Sequence, residues 1–82
     1  MSGEIESELL AFLRSEVYSP ETAVTAETDL VAAGFDSMSL VRLLLFVEKK
    51  YGRWIPESEI TSEALLNVRT LAATVSRILN EK

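Results

Sequence analysis

Ser37 is the side chain whose setting points to covalent chemistry. It follows Gly34-Phe35-Asp36 and opens a segment of helical apolar period. A hydroxyl at a helix N-terminus lies beside unpaired N–H groups and the positive end of the helix dipole. A phosphate ester is favoured there. The chain contains no His and no Cys. Ser–His and Cys–His catalysis, Cys/His zinc sites and disulfides are therefore excluded. Nothing nearby activates Ser37 as a nucleophile, but another enzyme can still modify it. The competing reading is that Ser37 merely caps the helix. The remaining candidates are carboxylates: Glu4, Glu6, Glu8, Glu57, Glu59 and Glu63. So small a chain offers little to desolvate a pair of them and split their pKa values, so they read as solvated surface. Gly34 is a lone loop glycine and not part of a phosphate-cradling series.

Three main helices position these residues. Ile5, Leu9, Leu10, Phe12, Leu13 and Val17 give a 3.6-residue stripe, predicting a helix over Glu4 to Val17 that Ser19-Pro20 ends. Residues 18–36 show no sustained period and form a long loop, with Val24, Leu30, Val31 and Phe35 as anchors. The second helix runs from Ser37 to Tyr51. Asp36 or Ser37 caps it, Lys49 and Lys50 complement its negative end, and Gly52 supplies the left-handed stop. A short helical turn is expected over Thr61 to Leu66. A last helix starts at a Thr70 cap and carries Leu71, Val75, Ile78 and Leu79. No period-two alternation occurs. The expected fold is all-α: a small four-helix bundle of three main helices and one short helix, with a long loop between the first two.

The second helix has two apolar sides. With Ser37 at zero and about 100° per residue, Leu40, Leu43, Leu44, Val47 and Tyr51 fall between about 240° and 340°, the core stripe. Met38, Arg42, Leu45 and Lys49 centre near about 100°, with Val41 and Phe46 at the margins. Apolar residues ringed by charge on an outward face point to a protein-docking surface. The alternative is a helix buried all round.

The chain is 82 residues long, with 48% hydrophobic and 26% charged residues and a net charge of −5. That is one globular domain, residues 1–82, burying about 63% of its unfolded surface, too little for a deep enclosed active site. Residues 1–36 hold eight acids and one base, whereas residues 37–56 hold four bases and one acid. The acidic balance argues against nucleic-acid binding. No apolar run is long enough to span a membrane, and the N-terminus lacks the regions of a signal peptide. A cytoplasmic monomer is expected.

Gly34-Phe35-Asp36-Ser37-Met38-Ser39-Leu40 resembles the attachment motif of the acyl carrier and peptidyl (aminoacyl) carrier proteins. Three flanking segments are also similar to that family: Thr28-Asp29-Leu30, Val47-Glu48-Lys49-Lys50-Tyr51-Gly52-Arg53-Trp54-Ile55-Pro56 and Val68-Arg69-Thr70-Leu71-Ala72. The resemblance covers residues 5–80. It implies that a phosphopantetheinyl transferase, using coenzyme A and magnesium, attaches 4'-phosphopantetheine to Ser37, with Asp36 presenting the serine. The arm's thiol then carries an acyl or aminoacyl thioester between partner enzymes. The chain is thereby a shuttle and not an enzyme. A loading ligase and a downstream acyltransferase or synthase are the further partners. Met38, Val41, Arg42 and Leu45 take the docking role. Met38 stands where leucine is usual in the family. Housekeeping fatty-acid carriers resemble one another in an acidic second helix, and here that helix holds Arg42, Glu48, Lys49 and Lys50, with Leu45 and Phe46. A specialised, free-standing carrier for an amino acid or a secondary-metabolite acyl group is therefore expected. The alternatives are a housekeeping-type fatty-acid carrier and an unmodified helical interaction module.

Overall fold

The computed structural model describes residues 2–19 and 21–81. Met1, Lys82 and Pro20, half of the expected Ser19-Pro20 stop, lie outside them. All regular structure among the described residues is helical. Helix α1 spans Ser2–Phe12 and continues into a π-helical turn, Leu13–Val17. Helix α2 spans Ser37–Tyr51 and α3 spans Val68–Leu79.

The first segment is thus not one uniform helix. The Tyr18 N–H donates to the Leu13 carbonyl at 2.9 Å, a five-residue step that widens the last turn. The Ser15 hydroxyl donates back to the Ala11 carbonyl at 3.0 Å and competes for an acceptor of the preceding turn. The widened segment ends at Tyr18, whose backbone is extended (φ −101, ψ 153).

Helix α2 has the bounds and stop that its sequence predicts. Gly52 adopts φ 73, and its N–H donates to the Glu48 carbonyl at 2.8 Å. Leu43, Leu44 and Val47 are buried, and Leu40 and Tyr51 are half-buried. The opposite face is open, so the helix is not buried all round.

Two boundaries differ from expectation. The cap of α3 is Asn67, not Thr70. The Asn67 side chain accepts from the Thr70 N–H at 2.9 Å and the Thr70 hydroxyl accepts from the Asn67 N–H at 3.1 Å. This is a reciprocal capping box, with Thr70 at its third helical position. The expected helix over Thr61–Leu66 is a run of turns, and a short 3-10 helix forms earlier, at Glu57–Glu59. The Thr70 hydroxyl donates to the Ala64 carbonyl at 2.9 Å, taking an acceptor that a continuing helix would use. Among the described residues three α-helices therefore stand, with turns and a 3-10 helix where the short fourth helix of the bundle is expected.

The core joins Leu9 and Leu13 to Leu43, Val47, Leu71 and Val75, all fully enclosed, and α1 packs against α3. The segment from 18 to 36 is pinned to this core. Val24, Leu30 and Phe35 are buried, whereas Val31, also expected as an anchor, is 56% exposed. The Tyr18 hydroxyl donates to the Leu30 carbonyl at 2.9 Å, and Arg14 Nε donates to the Val24 carbonyl at 2.9 Å. From the α3 side, Arg69 pairs with Glu27 at 2.9 Å and with Glu6 at 3.7 Å. The chain therefore reaches the start of α2 from a tethered path.

Candidate functional site

The start of α2 is built by the three residues before it, Gly34, Phe35 and Asp36. Phe35 is buried, and its N–H donates to the Leu30 carbonyl at 2.9 Å. Gly34 provides the bend with φ +113, a region that L side chains rarely adopt. No heavy atom would meet an added Cβ within 4 Å, so the conformation, not crowding, calls for glycine there.

Asp36 is the cap. Its Oδ1 accepts from the Ser39 N–H at 2.9 Å and from the Ser39 hydroxyl at 3.0 Å. Those two bonds, the backbone one first, hold the Asp36 carboxyl below its ordinary value. A carboxylate so stabilised is a poor base. Burial, then the charges of Asp29 and Asp36, push the Tyr18 hydroxyl up.

Ser37 is the first residue of α2 and is exposed. The capping role offered to it by sequence is filled by Asp36. Its hydroxyl stands at the helix N-terminus.

The outward face predicted for α2 is present. Met38 is 63% exposed, Leu45 53% and Val41 45%. Arg42 is exposed too, but it is not a free rim charge. Its Nη1 donates to the Glu16 carbonyl at 2.9 Å. Both residues line an open groove of about 520 Å³ between the π turn and α2. Phe12 and Phe46, stacked with centroids 4.4 Å apart and planes at 17°, form its floor. Leu45, Lys49 and Glu16 stand around it. A smaller recess of about 190 Å³, lined by Val17, Asp36, Met38, Ser39 and Arg42, lies beside Ser37.

Sequence reasoning named Arg42, Leu45, Phe46 and Lys49 but missed Phe12, Ser15, Glu16 and Val17 as surface features. A wheel drawn for one helix cannot show a groove between two. The signal available was Ser15, a residue able to back-bond inside a helical stretch.

A family model described as "Phosphopantetheine attachment site" matches residues 7–78. The chain is 44% identical over 52 residues to Aminoacyl carrier protein 1 of Bradyrhizobium diazoefficiens, covering 63% of this chain and 58% of that one. It is 33% identical over 81 residues to Aminoacyl carrier protein 2 of the same organism, covering 94% of this chain and 85% of that one. It is 28% identical over 64 residues to the aminoacyl carrier protein of Agrobacterium fabrum, covering 78% and 77%. No solved structure matches. With the family model spanning most of its length, this chain belongs to the phosphopantetheine-attachment family of carrier proteins, which are not enzymes but bear 4'-phosphopantetheine covalently.

Proposed function

We propose that 4'-phosphopantetheine is joined to Ser37 Oγ and that the chain carries an aminoacyl group as a thioester on it. The observation that carries the site is the division of labour between neighbours. Asp36 caps α2 and is saturated by Ser39, which leaves the exposed Ser37 hydroxyl free of that duty. The positive helix end favours the phosphodiester formed there. Asp36 acts by fixing the turn that presents Ser37, since its carboxylate is engaged elsewhere. When bound, the group supplies a thiol, which a chain without cysteine otherwise lacks.

The cargo reading rests on three relatives, all named aminoacyl carrier proteins. The charge on α2 supports it. Arg42 and Lys49 on the outward face oppose the basic partner patches that read acidic carriers. A dedicated amino-acid-loading ligase, a phosphopantetheinyl transferase and a downstream acyltransferase or synthase are the partners, docking on Met38, Val41, Arg42 and Leu45. A single buried cluster joining all three helices supports one carrier domain over residues 1–82.

The test is intact mass after incubation with coenzyme A, magnesium and a broad-specificity phosphopantetheinyl transferase. One phosphopantetheine added to the wild type and none to Ser37→Ala is the expected result. Addition to both proteins, or to neither while both are folded, refutes the assignment. Subsequent loading by an amino-acid-activating ligase, but not by a fatty-acyl ligase, is the expected outcome for the cargo.

A further inference from the structure

The groove between the π turn and α2 and the recess beside Ser37 are neighbours, with Arg42 in the lining of both. The recess touches Asp36 and Met38, the two neighbours of Ser37. From there the path runs along α2 to Leu45, Phe46 and Lys49. At about 1.5 Å per residue, these lie roughly 12–18 Å along the axis from Ser37. A pantetheine arm has about fourteen bonds between its serine oxygen and its sulfur, roughly 16 Å when extended. Path and arm therefore match in length.

They also match in chemistry. The arm has two amides in its middle and an apolar two-carbon end before the sulfur. Arg42 stands midway and spends Nη1 on the Glu16 carbonyl. A guanidinium has five N–H donors, so others remain for amide carbonyls. Beyond it, the Phe12–Phe46 stack and the half-exposed Leu45 offer an apolar bed at the depth where the arm's end arrives.

We infer that this chain seats its own pantetheine arm in the groove between the π turn and α2, with Arg42 at the midpoint and Phe12–Phe46 beneath the thiol end. The inference rests on attachment at Ser37. Seating holds the thiol against the carrier between partner visits and orients it along α2, the helix that partners approach.

The experiment is a backbone amide shift map of ¹⁵N-labelled protein before and after transferase treatment, with intact mass recorded on both samples. The expected result is shift changes at Ser15, Glu16, Leu45 and Phe46 comparable with those at Met38. Leu45→Glu, at an exposed position, should abolish the changes at Ser15 and Glu16 while those at Met38 persist. If mass shows the arm in place but the changes stop near residues 36–41, the seat is refuted and Ser37 attachment stands. If mass shows no arm on folded protein, the attachment reading fails and the seat fails with it.

Discussion

Arg42 Nη1 and the carbonyl oxygen of Glu16 are 2.9 Å apart, and that bond ties α2 to the end of the widened turn of the first helical segment. Helix ends leave carbonyls without internal partners, and here a cation from another helix supplies one. Arg42→Ala should therefore loosen the π turn from α2. The bond is exposed, so the expected cost is about 0.5–1 kcal/mol, a fall in melting temperature of roughly 2–8 °C. Arg42→Lys should not restore it fully, because the planar fork is lost. Thermal unfolding followed by circular dichroism measures both, and an unchanged midpoint in Arg42→Ala would show the bond to be idle.

The cap and the exposed hydroxyl next to it separate stability from attachment. Ser37→Ala should leave the melting temperature nearly unchanged, since Asp36 caps the helix. Asp36→Ala should lower it, and Asp36→Asn should recover most of the loss because asparagine caps as well. The sign with pH follows from the depressed carboxyl. A folded pKa below the unfolded value adds stability above the ordinary carboxylate range, lost as pH falls through the folded value. Urea midpoints from neutral to acid pH should thus fall less steeply in Asp36→Asn than in the wild type. Parallel acid limbs would contradict the capping account.

Where the sequence carried its own local signals, it predicted well. Asp36, Lys49, Lys50 and Gly52 mark both ends of α2, and the structure follows them to the residue. Phe35, Leu30 and Val24 were legible as anchors because large apolar residues in a polar stretch must go somewhere. What failed depended on side-chain hydrogen bonds to the backbone, which the apolar period does not show. The Thr61–Leu66 turn has helix-compatible residues, but the Thr70 hydroxyl takes its Ala64 carbonyl. Thr70 looked like a cap because it precedes the apolar stripe of α3, yet Asn67 sits three residues earlier and the two share the work. At the site, the Ser37 motif and the exposed Met38, Val41 and Leu45 were readable. The groove was not, since it exists only where Phe12 meets Phe46.

Two tyrosines, alike in sequence, should respond oppositely to loss of the hydroxyl. Tyr18 donates to the Leu30 carbonyl in a buried bond of 2.9 Å. Tyr51 has a hydroxyl oxygen buried without a partner among the described residues, and burial pushes its pKa up. An unmade buried bond costs more than a made one contributes. Tyr18→Phe should destabilise by about 1 kcal/mol by losing that bond, the Leu30 carbonyl keeping only the Phe35 N–H, and Tyr51→Phe should stabilise by about 1 kcal/mol. Urea unfolding at neutral pH gives both values, and equal signs would refute the contrast.

Gly34 offers the last separation, of backbone conformation from space. Its φ of +113 is unfavourable for any L side chain, yet a Cβ there meets nothing within 4 Å. Gly34→Ala should therefore cost only the conformational term, about 1–3 kcal/mol. The cost falls on the bend between the Leu30 anchor and the Asp36 cap, so relief of strain shifts the start of α2. The expected result is a lower melting temperature together with slower transferase modification of Ser37, while α3 keeps its amide protection. Hydrogen exchange locates the change. Loss of protection spread evenly over α1 and α3 would mean that the bend supports the whole core and does not serve chiefly to present Ser37.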